Sequence, residues 1–302
     1  MRPHRRLSSV VVASMAVLFA LAMVPAPAGA ASEAGSATRD TNDNTGEFED
    51  STDIDSHFFP LQPGARTVYR GTVTDEDGRV RHRIVFTVTD LLKDVSGVVT
   101  RVVWDRDISE GHLDEAELAF FAQDEAQNVW TFGEYPEEYE DGEFAGAPST
   151  WLNGVQRAEA GILVPGHPSV DLPAFVQGFA PAIDFFDKGR VIRTDRHVCV
   201  AVGCFDDVVV IDEWNPLDPD DGHQRKLYAP GVGLVKITAR GGDSREIMEL
   251  VKQVHLGPRS LAISRAEALR LDARAYRFAK RVYRDTRPAY LPSDCTDDPY
   301  GR

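Results

Sequence analysis

The segments IVFTVT, residues 84–89, and VVTRVVW, residues 98–104, decide the fold class of this sequence. In the first segment, Ile84, Phe86 and Val88 alternate with the other three residues, and the second segment alternates in the same way. Successive side chains of a β-strand point to opposite faces, so a period of two is typical of strands and not of helices. Runs of this kind, each followed by a turn rich in Gly, Pro, Asn or Asp, recur along most of the chain.

This pattern predicts a mainly β domain over residues 58–256, folded as a single antiparallel meander that could curve into a half-barrel. Parallel pairing would need helical crossovers between the strands, and the pattern contains none in this range. Residues 141–187 interrupt the alternation, because they are rich in Gly, Pro and Ala. We interpret them as a long irregular excursion across the sheet.

The first thirty residues have the composition of a cleavable signal peptide, which we assign to residues 1–30. Three arginines precede an apolar run from Val10 to Val24, and Ala28-Gly29-Ala30 supplies the small residues that favour cleavage. No later stretch is long and apolar enough to form a membrane-spanning helix. We therefore expect a secreted protein, extracellular or associated with the cell envelope, with no integral membrane segment after cleavage.

The charge of the chain limits its partners. Residues 31–57 are rich in Asp and Glu and nearly devoid of apolar side chains, which predicts a disordered acidic leader, because such a segment cannot bury enough surface to offset its loss of entropy. The formal net charge of the whole chain is −15. This charge argues against nucleic acid as a partner, since binding to a phosphate backbone requires cationic side chains. We expect an apolar or polymeric ligand instead.

Residues 257–302 predict a basic amphipathic helix followed by a polar tail. Ser264 and Glu267 have the spacing of a capping box at the start of the helix. Its apolar face comprises Ala268, Leu271, Ala275, Phe278 and Val282, and its basic face comprises Arg270, Arg274, Arg277, Arg281 and Arg284. The narrow, alanine-rich apolar face favours packing against the sheet, and the alternatives are binding to an acidic partner, to a wall polymer or to an anionic membrane.

Two cysteines are candidates for a disulfide. Cys199 and Cys204 flank a four-residue turn, and the oxidising compartments outside the cytosol favour a bond between them. Asp195 and His197 share a strand face with Cys199, so a zinc site is the alternative. We predict the disulfide, no metal and no cofactor, which leaves Cys295 unpaired.

An aromatic set within the irregular stretch is the candidate ligand pocket. It comprises Phe175, Phe179, Phe185 and Phe186, together with Ile162 and Leu163. These side chains could line an apolar cavity on the concave side of a curved sheet. The alternative is that they pack the irregular stretch onto the sheet, because aromatic side chains dominate protein cores.

No catalytic motif is evident. The sequence contains no Gly-x-Ser-x-Gly, no His-Glu-x-x-His and no glycine-rich phosphate loop. Fourteen acidic residues and one basic residue lie between Asp105 and Glu143, and we interpret them as a solvated acidic surface because they lack the spacing of a calcium loop. The alternative is a hydrolase with an acidic site among Glu134, Glu137, Glu138 and Asp141. We predict no catalytic residue and lean towards a protein that is not an enzyme.

Five segments of the sequence resemble a family of exported bacterial β-proteins of unassigned function. They are Phe59-Pro60-Leu61 with Pro63-Gly64, Ala122-Gln123-Asp124, Asn128-Val129-Trp130 with Phe132-Gly133-Glu134, Gly203 to Val210, and YAPGVGLVK from Tyr228 to Lys236. The resemblance covers residues 58–255 and implies a meandering sheet, similar to the curved sheets of periplasmic lipoprotein carriers. It implies no catalytic role, and Cys199 and Cys204 depart from the family pattern.

The sequence thus predicts a secreted, non-catalytic binding protein or envelope-associated scaffold whose ligand is apolar or polymeric. A hydrolase with its site near residues 134–141 is one alternative. A purely structural surface protein is the other.

Overall fold

Fourteen strands and two α-helices form the part of the chain that the computed structural model describes, residues 48–76 and 78–292. The strands are β1 (Ala65–Asp75), β2 (Gly78–Val95), β3 (Val98–Ser109), β4 (His112–Gln123), β5 (Val129–Glu140), β6 (Glu143–Gly146), β7 (Trp151–Leu152), β8 (Glu159–Val164), β9 (Phe175–Ala180), β10 (Phe185–Val200), β11 (Gly203–Trp214), β12 (His223–Ala229), β13 (Gly233–Arg240) and β14 (Arg245–His255). The helices are α1 (Pro258–Phe278) and α2 (Lys280–Tyr283). The predicted signal peptide, the first part of the predicted leader and Cys295 lie outside the described residues.

The strands pair antiparallel and close into a ring. Its order is β4-β3-β2-β1-β14-β13-β12-β11-β10-β9-β8-β5, and β5 pairs with β4 again. The result is a 12-stranded barrel, with β6 and β7 attached to β5 outside the ring. The prediction of a mainly β fold with a C-terminal helix is confirmed, but the prediction of a meander curved into a half-barrel is wrong.

The ring closes through residues 141–187, which we predicted to be irregular. This stretch contains β8 and β9, which connect β5 to β10. Glycine is depleted in strands generally, so a glycine-rich stretch is not predicted to form strands. Here it allows a close approach, since a Cβ atom at Gly161 would lie 2.4 Å from the carbonyl oxygen of Val176 on β9. The irregular excursion is therefore corrected to four strands, β6 to β9, of which β8 and β9 belong to the ring.

Apolar side chains fill one part of the barrel interior. The ring of Phe59 lies 6.0 Å from the rings of Phe86 and Phe121 and 5.9 Å from that of Tyr228. Ile54, just upstream, is fully buried in the same cluster. Packed structure therefore begins before residue 58, within the segment that we assigned to the leader, because this segment carries apolar side chains that the barrel can bury.

Helix α1 covers the outer faces of β2 to β5. Its residues Ala268, Leu271 and Ala275 belong to an apolar cluster with side chains of these strands. The helix begins at Pro258 and not at the predicted capping box, because proline fits the first turn of a helix. Ser264 lies inside the helix, where its hydroxyl donates a hydrogen bond to a backbone oxygen of the preceding turn. The basic helix thus packs on the protein's own sheet.

A buried ion pair fixes the helix to the barrel. The side chain of Lys93 on β2 is fully buried, and its Nζ donates to Oδ1 of Asp272 at 3.0 Å and to the carbonyl oxygen of Arg287 at 2.8 Å. Tyr290 exchanges two backbone hydrogen bonds with Leu92, at 2.8 and 2.9 Å. The C-terminal part of the described chain is therefore held against β2. No helix in residues 48–76 and 78–292 combines the length and apolar character needed to span a bilayer.

Candidate functional site

The residues of the predicted apolar pocket lie in different environments. They are Ile162 and Leu163 on β8, Phe175 and Phe179 on β9, and Phe185 and Phe186 on β10. Leu163 and Phe185 are buried and the other four are half-buried. The ring of Phe185 lies 5.3 Å from that of Trp151, and Phe179 pairs with Phe186 across the strands at 5.3 Å. None of the six lines either of the two pockets described below. A ligand bound by these side chains stays a prediction.

Carboxyl groups occupy another part of the barrel interior. The buried acidic cluster comprises Asp105, Asp107, Glu115, Glu117, Glu134, Glu213 and Glu246, each less than a tenth exposed. The prediction of a solvated acidic surface, which concerned residues 105–143, is wrong for the five cluster members in that range. Asp105 and Asp107 follow Val103 on β3 at intervals of two residues, so all three side chains point to the same face of the strand. Because Val103 is buried in the core, both carboxyl groups also point inward.

His82 lies between two acidic groups of this cluster. Its Nε2 is 3.8 Å from Oδ2 of Asp107 and 3.6 Å from Oε1 of Glu246, and its Nδ1 is 3.0 Å from the hydroxyl of Ser109. Burial lowers the pKa of His82, but the charges of the two carboxylates outweigh this effect and raise the pKa above its usual value. Burial also raises the pKa of Glu246 to about 7. Both groups therefore hold their protons to a higher pH than they do in an unfolded chain.

The four carboxyl groups of the predicted hydrolase site are not brought together. Glu134 points into the barrel, where its Oε2 accepts a hydrogen bond from Nε1 of Trp151 at 3.0 Å and burial raises its pKa to about 7. Glu137 lies on the opposite face of β5, under α1, and pairs with Arg274. Glu138 is half-buried and Asp141 is exposed. These side chains do not form one acidic site.

A pocket that opens on the acidic cluster has room only for water-sized groups. Its lining includes Asp187, Glu213, Lys226 and Glu246. The space that can hold the centre of a water molecule is about 30 Å³, which suits one or two waters and excludes an organic ligand. Among the described residues, no three ligand atoms of this cluster lie within 4.8 Å of one another. The cluster is therefore not a preformed metal centre.

A larger pocket, which we call the outer groove, lies on the outer wall of the barrel across β10 to β13. Its lining comprises the apolar residues Ile192, Val198, Val210 and Leu227 and the cationic residues Arg193, Arg196, Arg225 and Lys236. The apolar side chains are buried or half-buried, and Arg193 and Arg196 are exposed. The volume of the groove is about 500 Å³, which is within the range of ligand-binding sites.

Irregular pairing of β10 shapes this groove. The register between β10 and β11 shifts three times within residues 191–198. On a regular strand, the side chains of residues three positions apart point to opposite faces of the sheet. A β-bulge changes the direction in which nearby side chains point. These shifts allow both Arg193 and Arg196 to line the groove. A sequence argument based on regular alternation could not place them together.

The cations of the groove differ in their partners. Arg225 pairs with a carboxylate of β11 at 2.9 Å, and Lys236 pairs with a carboxylate of β14 at 2.6 Å. Neither Arg193 nor Arg196 forms an ion pair with an acidic side chain in the described part of the chain. Among the described residues, these two arginines are therefore the cations of the groove without an acidic partner.

The tip of the β10–β11 hairpin borders the groove. Cys199 and Cys204 lie opposite each other in the two strands and are joined in a disulfide. His197 places Nε2 3.4 Å from Sγ of Cys199 and Nδ1 2.6 Å from Oδ1 of Asp206. His197 and Cys199 also line the groove. The hairpin tip thus combines a disulfide, an imidazole and a carboxylate at the surface.

Comparison with known protein families and with curated proteins finds no match to this sequence. Two solved structures are similar to it. One is a Bacteroides fragilis protein described as exported and as having a YmcC-like fold, with 15% identity, a TM-score of 0.38 and coverage of 66% of this chain and 99% of that chain. The other is a Parabacteroides distasonis protein described as a lipoprotein, with 12% identity, a TM-score of 0.30 and the same coverage of both chains. Likenesses this weak do not bear on function.

Proposed function

We propose that the chain is an exported, non-catalytic binding protein that holds an anionic polymer of the cell envelope in the outer groove. The observation that carries the proposal is the position of Arg193 and Arg196, which both line the groove and lack an acidic partner among the described residues. The amino-terminal sequence supports export, since it has the composition of a signal peptide.

Charge complementarity favours an anion. A guanidinium group donates paired hydrogen bonds in a geometry that matches phosphate and carboxylate groups. The chain as a whole carries a formal charge of −15, so the cations of the groove, like those of the basic helix face, differ in sign from the net charge of the chain. The ligand is therefore expected to carry phosphate or carboxylate groups.

The shape of the groove favours a chain-like ligand over an enclosed small molecule. The groove is partly open to solvent, and its cations are distributed over β10, β12 and β13. The half-buried apolar residue Ile192 also lines the groove and can contact the uncharged part of a polymer. A polymer with regularly spaced anionic groups can engage several of these cations at once.

Removing the two free arginines is expected to weaken polyanion binding. For the Arg193→Ala/Arg196→Ala variant, we expect the Kd for fluorescently labelled polyphosphate to rise about tenfold to a hundredfold, because each lost hydrogen bond to a charged group costs roughly 1.5 to 3 kcal/mol and part of this loss is offset by neighbouring cations. Fluorescence anisotropy measures the Kd. Polygalacturonate distinguishes carboxylate from phosphate ligands, and dextran is the neutral control.

The matched control removes two arginine charges outside the groove. Arg259 and Arg281 are exposed residues of the helical region outside the groove, and Arg259→Ala/Arg281→Ala should leave the Kd within about twofold. An equal loss in both double variants would mean that binding follows net charge. Failure of the unsubstituted protein to bind either polyanion would refute the proposal and favour a purely structural role.

A further inference from the structure

We infer that the tip of the β10–β11 hairpin becomes a zinc site when its disulfide is reduced, with Cys199, Cys204 and His197 as ligands. This inference concerns metal binding and does not depend on the ligand of the outer groove. The ligand atoms of these three residues lie within 4.8 Å of one another. All three side chains are exposed, so a metal ion can reach them from solution.

The histidine is already oriented as a metal ligand. Its Nε2 faces Sγ of Cys199 at 3.4 Å, and its Nδ1 is hydrogen-bonded to Asp206 at 2.6 Å. Metal-binding histidines commonly donate the second ring N–H to a carboxylate, which fixes the ring and strengthens the ligand. His197 has this arrangement in the metal-free chain.

The pairing of the two strands presents both sulfur atoms on one side. Cys199 and Cys204 are direct partners across β10 and β11, with Cα atoms 4.0 Å apart. In a tetrahedral site with zinc–sulfur bonds near 2.3 Å, the sulfur atoms would stand about 3.8 Å apart. Rotation of the two side chains can supply this separation while the strands stay paired. Solvent is available to provide the fourth ligand as water.

The chemistry requires a reductant and releases protons. A dithiol reductant transfers two electrons and two protons to the disulfide, so that the bond between the sulfurs breaks, two thiols form and the reductant becomes a disulfide. Zinc then replaces the two thiol protons, which leave to solvent, and the two thiolates and the imidazole bind the metal. While the sulfurs are joined, neither can act as a thiolate ligand, so the oxidised hairpin is the metal-free state.

Cobalt(II) titration tests the inference on the full chain. A Cys295→Ser background removes the third thiol, and the protein is reduced with dithiothreitol, which is then removed under nitrogen. We expect one equivalent of cobalt to produce thiolate charge-transfer absorption and the strong visible bands of tetrahedral cobalt, and one equivalent of zinc to abolish both. The oxidised protein should show neither signal. Absence of the bands in the reduced protein would overturn the inference.

Substitutions test the assigned roles. Cys199→Ser/Cys204→Ser should abolish the thiolate bands, His197→Ala should weaken zinc binding at least tenfold, and Asp206→Asn should weaken it about tenfold to a hundredfold, as for other outer carboxylates. Circular dichroism confirms that each variant is folded. Zinc binding that is unchanged by His197→Ala would exclude this site, even if the reduced protein bound metal. Polyanion binding by the oxidised protein is measured separately, so the two proposals can fail independently.

Discussion

We expect the protein to melt on the order of 10 °C lower at pH 8 than at pH 5.5. The cause is the buried acidic cluster. Burial raises the pKa of Glu134 and of Glu246 to about 7, and it also raises the pKa of Asp105 and of Glu117. Deprotonation of these groups at higher pH leaves charges inside the barrel that the unfolded chain would expose to water.

The sign of the effect follows from proton binding. Between the usual glutamate pKa and pH 7, folded Glu134 and Glu246 hold protons that the unfolded chain releases, so stability falls as pH rises through this window. Each contributes on the order of 2 kcal/mol to the change in unfolding free energy between pH 5.5 and 8. His82 acts in the same direction, because its pKa is raised and the stabilisation from its charge is lost as pH rises.

Calorimetry at the two pH values and at constant ionic strength measures this difference. Glu134→Gln and Glu246→Gln should each reduce the pH dependence of Tm, because a neutral amide replaces the titrating group at similar volume. Glu143→Gln changes an exposed residue and should leave the dependence intact. A wild-type Tm that is equal at the two pH values, or higher at pH 8, would contradict the account.

Asp272→Ala is expected to destabilise the protein by about 3 to 5 kcal/mol, because it leaves the buried charge of Lys93 without its carboxylate partner. The same substitution removes the acceptor for the backbone N–H of Ala289. Both losses loosen the contact of α1 and the following segment with β2. Urea denaturation followed by tryptophan fluorescence measures the change in unfolding free energy.

Two further variants distinguish the effect of breaking the buried ion pair from the effect of removing a charged side chain elsewhere. Lys93→Met/Asp272→Leu replaces both charges with apolar side chains and should recover much of the lost stability, since no buried charge remains. Asp285→Ala removes one partner of the exposed pair between Arg284 and Asp285 and should change stability little. If Asp272→Ala were as mild as Asp285→Ala, the buried pair would not anchor the helix.

Period-two alternation predicted most of the barrel wall but not its closure. The runs around Phe86 and Trp104 form β2 and β3 as predicted, because their alternation is strong. The alternation did not predict the closing strands β8 and β9. Gly161 and Gly178, which allow the backbones to approach closely, interrupt the alternation of apolar and polar side chains there. The start of α1 was misplaced because the sequence offers Pro258 and the capping box as competing signals.

The functional features were harder to predict than the strands. Both faces of β3 carry apolar residues, because α1 covers the outside, so alternation alone could not show that Asp105 and Asp107 point inward. The outer groove depends on bulges that place Arg193 and Arg196 on one side, and bulges depend on pairing with a neighbouring strand. By contrast, the proximity of Cys199 and Cys204 could be expected from their short separation.

The position of Phe48 has a practical consequence. Its ring lies against Trp130 and Phe132 of β5, at 5.8 and 5.3 Å, whereas the outer groove begins at β10, three strands away around the ring, and extends to β13. The described chain therefore begins outside the groove. A protein attached to a surface through a residue substituted for Glu49, the exposed neighbour of Phe48, would leave the groove open to the solution in binding measurements.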